Sequence, residues 1–278
     1  MEGLWFTEIH GKSSGITIKV KDVLKCVKTK FQTLKVYDTE DYGKLLTLDD
    51  IVMTTEKDEF IYHEMIVHVP LFSHENPENV LIIGGGDGGT LREVLKHKTV
   101  KNVDMVEIDE EVVNTSKEFF PNFAKAFESP KANVIFDDGI EFVKNKKAKY
   151  DVVIVDSTDP INVGEGLFTT DFYKNCYNIL KENGILTNQS ESPFHSPEWV
   201  RSIYEKLNRA FPIVKMYRAE VPTYPPGIWS FGFCSKVTYP VENFQKNRFN
   251  EYKLKLKYYN EEIHKAAFAL PNFVKELI

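Results

Sequence analysis

The segment Val80-Leu-Ile-Ile-Gly-Gly-Gly-Asp-Gly-Gly-Thr90 constrains this chain most. A short apolar run breaks into glycines around a single acid, Asp87, and then into a helix-forming stretch. That order of strand, tight turn and helix N-terminus lets backbone approach a nucleotide closely. An acid able to hold ribose hydroxyls is expected about 20 residues later. Glu107, closing Asp104-Met-Val-Glu107, stands 23 positions after Gly84. Dinucleotide enzymes and adenosylmethionine enzymes share this pattern, so it predicts a nucleoside ligand without choosing between them.

The surrounding sequence alternates in the same way. Strand-like runs at 79–83, 102–107, 133–136 and 151–155 are separated by helical spacing at 90–97, 110–119 and 140–145. Such alternation predicts an α/β fold with a doubly wound, mainly parallel sheet. Thr169 can cap a helix running to about Glu182, where Asn183-Gly184 stops it before a strand at 185–189. Ser196-Pro197 opens another helix, and strands are expected near 213–221 and 229–234. Upstream, the chain is β-rich: strand-like runs at 15–21, 32–38 and 44–54 suggest a small hairpin-built lobe. Helical periodicity from Phe60 to Val69, with Asp58 as an available N-cap, marks the change. The expected division is therefore 1–58 and 59–278.

Composition narrows the function. The 278 residues carry 41 Asp+Glu against 35 Lys+Arg, a net charge of −6, which argues against a nucleic-acid partner. No apolar run nears the ~18 residues of a membrane span. The first residues contain acids where a signal peptide would be basic, so no export is expected. Three scattered cysteines, Cys26, Cys176 and Cys234, suggest neither a disulfide framework nor a zinc site and fit the cytoplasm.

Acids give the glycine turn its chemistry. Asp87 would repel a pyrophosphate or a carboxylate and attract a primary ammonium, unless it only serves as a turn residue or helix cap. Val155-Asp156-Ser-Thr-Asp159-Pro160 follows another strand of the series. Ligands in open α/β sheets bind beyond the carboxyl ends of strands, so Asp156 should project into the same crevice. The competing possibility is a solvated turn. Metal-site spacing is absent from His63, His68 and His74, and no metal is expected.

Taken jointly and in order, these motifs resemble the aminopropyltransferase family that includes spermidine synthase. The match comprises Glu56-Lys-Asp-Glu-Phe-Ile-Tyr-His-Glu-Met65, the glycine turn, Glu107, Asp138-Gly139, Asp156 to Pro160 and Val221-Pro-Thr-Tyr-Pro-Pro-Gly227. It covers Trp5 to about Ala269. The resemblance implies a Rossmann-like, methyltransferase-type domain behind a small N-terminal β lobe. The implied reaction moves the aminopropyl group of decarboxylated S-adenosylmethionine, a co-substrate rather than a cofactor, to putrescine, giving spermidine and 5′-methylthioadenosine.

By the same resemblance, Asp156 is the general base, and Asp87 and Asp159 anchor substrate ammonium groups. Tyr62, His63 and Tyr224 line the channel, with Ile228 and Trp229 shaping its diamine end. Gln32 and Glu107 hold the ribose side, while Ile108, Asp138 and Gly139 contact adenine, and Gly84 and Gly86 approach the nucleoside. A homodimer or homotetramer through the N-terminal lobe is also implied. One departure is the stretch after Pro160, where the family usually has a Gly-Pro pair and this chain has Ile161-Asn162-Val163. That loop is expected to gate the pocket, with Val163 near adenine. A class I methyltransferase is the main alternative, but its acid two residues before the glycine turn is replaced here by Ile82. A non-catalytic binding module would not need Asp156. Trp5, Trp199 and Trp229 read as packing residues, and Lys253 to Tyr259 as a solvated amphipathic stretch.

Overall fold

A computed structural model describes residues 3–144, 146–160 and 162–278, with Asn162 represented by its backbone. Two sheets form from two kinds of sequence. The first is an antiparallel meander of β1 (Leu4–His10), β2 (Ser14–Lys28), β3 (Thr33–Thr39), β4 (Lys44–Leu48) and β5 (Ile51–Thr55), in that order. Its β1 was not singled out by pattern, for a physical reason. Of the face that carries Leu4, Phe6, Glu8 and His10, two positions are polar and Leu4 is exposed, while Ile9 stands exposed on the opposite face, so the apolar alternation is scrambled. The expected single run 44–54 is two strands, because Asp49 and Asp50 both adopt positive φ, 50° and 63°, and reverse the chain.

The second sheet has the order β11-β12-β10-β9-β6-β7-β8. Its strands are β6 (Asn79–Gly84), β7 (Asn102–Glu107), β8 (Ala132–Phe136), β9 (Tyr150–Asp156), β10 (Leu180–Gln189), β11 (Ile213–Ala219) and β12 (Trp229–Ser235). The five from β8 through β10 run parallel, and β12 and β11 add an antiparallel edge. This is a Rossmann-like, mainly parallel mixed sheet, as the alternation predicts. Both faces are covered, which is why its strands are continuously apolar. Val80 and Ile82 point into one core with α1 (Glu59–Ser73). Leu81 and Ile83 enter the other, with Phe172 and Val200 from α6 (Thr170–Ile179) and α7 (Pro197–Asn208).

Order reverses between β6 and β9, which opens a crevice at their carboxyl ends. The turn after β6 leads into α2 (Gly89–Leu95), and α3 (Glu110–Phe119), α4 (Pro121–Ala124) and α5 (Gly139–Val143) close the first half. Several local expectations are corrected. Asp58 makes no cap bond to α1; its carboxylate accepts instead from Thr55 and from the backbone and hydroxyl of Thr223, tying α1 to the loop of Tyr224. Thr169 does cap α6, but the helix ends at Ile179 because Leu180 already pairs with Tyr150 of β9. Trp199 is 39% exposed rather than packed. In the stretch 253–259 the lysines are exposed, yet the backbone N–H groups of Lys257, Tyr258 and Tyr259 all donate to buried Glu64. The expected helix end at Asn145 and Ile161 of the loop lie outside the described residues.

Candidate active site

Register brings the first two motifs together: Gly84 of β6 pairs with Asp156 of β9. The approach is so close that any side chain at Gly84 would collide with the Asp156 carbonyl, and its φ of +81° favours glycine as well. The Gly85 N–H then donates to that carbonyl at 2.8 Å. A cavity of about 1000 Å³, open solvent included, begins here. It is lined by Gln32, Tyr62, His63, Gly84, Gly86, Asp87, Glu107, Ile108, Asp138, Gly139, Asp156, Val163 and Tyr224. Every expected site residue except Asp159, Ile228 and Trp229 borders it. Val163 belongs to a 3-10 turn, Asn162–Phe168, that forms part of the wall.

The end of the cavity lined by Glu107 and Gln32 is polar. Glu107 is buried at the end of β7, accepts from the Asp109 N–H at 2.9 Å, and is raised by burial to about 7. Gln32 is tethered beside it, its amide donating to Asp109 at 3.1 Å. Asp138 caps α5 by accepting from Ile140 N–H at 2.8 Å, and also borders the cavity. Asp87 has a double role too: one oxygen accepts from Gly89 N–H at 2.8 Å, and the other faces His63 Nε2 at 3.2 Å.

Asp156 is held from both sides. Tyr62 O–H donates to one carboxylate oxygen at 2.8 Å, and Thr90 O–H, a partner that the sequence pattern does not single out, donates to the other at 2.6 Å. Burial raises the Asp156 carboxyl and the nearby Asp87 raises it further; His63, Thr90 and Tyr62 oppose the shift without cancelling it. Such a group is a better proton acceptor than an exposed carboxylate. His63, Asp87 and Asp156 bring side-chain nitrogen and oxygen atoms within 4.8 Å of one another. By contrast, His68 bonds His97 and Glu93 in the core, and His74 lies beside Asp151.

Asp159 lines an adjoining cavity with Glu8, Gln189, Pro225 and Trp229. Tyr62, Tyr224, Met53, Ser157 and Thr158 border both spaces, so the two adjoin. Ile228 packs against the second core instead of lining either. Glu8 accepts from Val52 N–H at 2.7 Å and faces His10 Nε2 at 2.9 Å. Burial raises Glu8 to about 7 despite the Val52 bond, and Asp159 adds to the rise. Burial and Asp159 push Glu191 far above the usual carboxylate range, and Asp159 is itself raised by burial. Glu191 holds a positive φ of 70° and leaves one carboxylate oxygen without a partner. Glu8, Gln189 and Glu191 carry no motif; an acid at an inward β1 position was the one available signal.

The fold and cavities define a class: a Rossmann-like protein with a crevice at its strand ends that adjoins an acid-lined passage. Residues 59–273 match the family described as the spermine/spermidine synthase domain, and residues 4–56 match the spermidine synthase tetramerisation domain. The chain belongs to the spermine/spermidine synthase family of aminopropyltransferase enzymes. It is 49% identical to a polyamine aminopropyltransferase of Alkaliphilus metalliredigens, over 99% of this chain and 98% of that one. A polyamine aminopropyltransferase of Thermoanaerobacter sp. is 50% identical, with the same coverage. Among solved structures, spermidine synthase in complex with the transition state analogue AdoDATO superposes with a TM-score of 0.97 at 42% identity, covering 100% of this chain and 95% of that one. Spermidine synthase from Thermotoga maritima gives 0.95 at 42% identity, covering 100% and 94%.

Proposed function

We propose that this enzyme transfers the aminopropyl group of decarboxylated S-adenosylmethionine to putrescine, with Asp156 as the general base. The observation that carries the reading is a half-buried Asp156, braced by Tyr62 and Thr90, in the wall of a crevice that adjoins an acidic passage. In this reading the adenosine lies along Glu107, Gln32, Ile108, Asp138, Gly139 and Val163. The donor's ammonium meets Asp87. Putrescine occupies the passage past Tyr62 and Tyr224, with its far ammonium at Asp159 and Glu8. No metal or cofactor is called for, since the donor carries its own sulfonium leaving group.

The chemistry follows from charge. A primary amine titrates near lysine, about 10.4, so freeing its lone pair at pH 7 costs about 4.6 kcal/mol. The neutral amine attacks the methylene carbon bonded to sulfur as the C–S bond breaks. Its electron pair stays on sulfur, giving neutral methylthioadenosine, and the new ammonium's extra proton passes to Asp156. Carboxylates around the reacting centre lower the repulsion between two cationic substrates, and holding nitrogen in line with the C–S bond supplies much of the remaining rate. Asp87 also selects the donor, because ordinary S-adenosylmethionine would place its carboxylate against this acid. The 162–168 turn is well placed to gate the crevice.

Assembly into a homodimer or homotetramer through the N-terminal sheet is part of the same proposal. The match of residues 4–56 supports it, as do Leu4 and Ile9 of β1, 49% and 65% exposed. No helix among the described residues is long and apolar enough to cross a membrane. Cys26, Cys176 and Cys234 are free thiols, in keeping with the proposed cytoplasmic location. The deciding experiment supplies putrescine with either decarboxylated or ordinary S-adenosylmethionine and reads products by mass. Spermidine and methylthioadenosine from the first donor alone are expected. Methylated amine from the second donor would move the enzyme to the methyltransferases. For Asp87→Asn, unchanged donor preference at retained activity would refute the selector role.

A further inference from the structure

His63 is held between two carboxylates, and one of them is locked from behind. Its Nδ1 faces Glu59 at 2.6 Å, one turn earlier on α1, and its Nε2 faces Asp87 at 3.2 Å. Arg92 of α2 forks onto both oxygens of Glu59 at 2.9 and 2.8 Å, while its Nε donates to Glu93 at 2.8 Å. Glu93 in turn is anchored by His68 at 3.0 Å and Lys96 at 2.7 Å. The imidazole lies flat against the start of α2, where any side chain at Gly89 would strike the ring, and Phe123 covers it edge-on at 5.8 Å. This is a rigid support for one charged ring beside the reacting centre.

A ring bonded to carboxylates through both nitrogens donates from both, which makes it an imidazolium. The charged and titratable groups around it are Glu59, Arg92, Asp87, Asp156 and Tyr62. Burial disfavours its charge, but Asp87 and Glu59 overcome this and hold it well above 6.5. Burial likewise opposes Glu59 ionisation, yet His63 and Arg92 bring that carboxyl down to about 2. The donor's ammonium and the attacking amine must both enter within reach of this fixed cation.

We propose that Glu59 and Arg92 are positioning residues which, acting through His63, keep a permanent positive charge beside Asp87 and Asp156, so that the pocket takes one ammonium and admits the second amine in its neutral, nucleophilic form. Counted as ionised, Glu59, Asp87 and Asp156 bring three negative charges and His63 and Arg92 two positive. The donor's ammonium and sulfonium add two positive charges, so the site is already past balance before the acceptor enters. A further ammonium would be repelled, which moves the attacking amine toward the free base before reaction. This inference rests on the reaction proposed above and adds the charge state in which the acceptor binds.

The test compares the full-length enzyme with Glu59→Gln, nearly isosteric, and Arg92→Lys, which keeps a charge but loses the fork. The charge state of His63 is read by NMR of labelled imidazole against pH, independently of turnover. In Glu59→Gln the ring is expected to lose its proton at a pH at least one unit lower than in the unmodified enzyme. Its kcat should fall about tenfold near pH 7 and recover as pH rises, the half-point of the profile moving up about one unit. Glu59→Asp should restore part of the original profile. An unchanged His63 charge state, or a loss of activity equal at every pH, would overturn the proposal. Absence of aminopropyl transfer by the unmodified enzyme would instead refute the reaction itself, leaving the NMR result to be judged alone.

Discussion

At the α1 side of the channel the buried carboxylates come with cations of the protein's own: His63 and Arg92 serve Glu59, and His63 faces Asp87. At the far side Glu8, Asp159 and Glu191 crowd together, and among the described residues the basic side chain paired there is His10, on Glu8, whose own pKa is lowered by burial and by His195. One end is neutralised internally and the other is left in debt. The consequence is visible in the pKa shifts: Glu59 lies at about 2, whereas Glu8 lies at about 7. A buried acid without a cation takes up a proton until a ligand brings positive charge. On the proposed reading the far end receives a cation that arrives with substrate, and the near end is the preorganised reaction site.

Asp156 stands between the two, and removing it gives the largest effect. Asp156→Asn should lower kcat by about 10²–10⁴-fold, the usual range for a general base, while methylthioadenosine binding measured by calorimetry stays within about twofold. A loss of nucleoside affinity equal to the loss of rate would show that Asp156 shapes the crevice rather than accepting the proton.

The far end is tested by acceptor choice. Glu8→Gln and Asp159→Asn should each raise KM for putrescine about 10- to 100-fold, the worth of one charge-assisted hydrogen bond, with a smaller change in kcat. With a monoamine acceptor, which has no far ammonium, the same variants should behave like the unmodified enzyme. Equal impairment with both acceptors would place these acids in structure rather than in recognition.

A smaller effect sharpens the contrast through stability. Glu8 is raised from 4.5 to about 7, so the folded state binds its proton more tightly than the unfolded one. Unliganded stability is then lost as pH rises from 4.5 to about 7 and stays lost above it. Glu59 has the opposite sign: its contribution is present above 4.5 and disappears as pH falls toward 2. Glu8→Gln should therefore melt a few degrees higher than the unmodified protein at pH 8 without ligand, and Glu59→Gln lower. Saturating putrescine should erase the Glu8 difference. The same melting temperature for all three at pH 8 would break the comparison.

Much of this site was readable before any coordinates. The glycine turn, Glu107, Asp138 and Asp156 each sit at the end of a strand, and strand, turn and helix succeed one another within a few residues. Such features are short-range, so linear pattern captures them. Errors cluster where a distant partner overrules the local signal. Asp58 looks like a helix cap but binds Thr223, 165 positions away. The helix after Thr169 stops early because β9 claims Leu180 as a strand partner.

Order along the chain was enough to set the alternating α/β architecture, the antiparallel lobe before it, and the strand ends at which chemistry would appear. It could not bring Glu8 of β1 beside Asp159, or the Arg92 fork onto Glu59, because those contacts belong to surfaces that meet only when the elements pack. Nor does any window of sequence contain the burial that raises Asp156 and Glu8. Desolvation depends on everything that surrounds a group, and its surroundings exist only once the chain has folded.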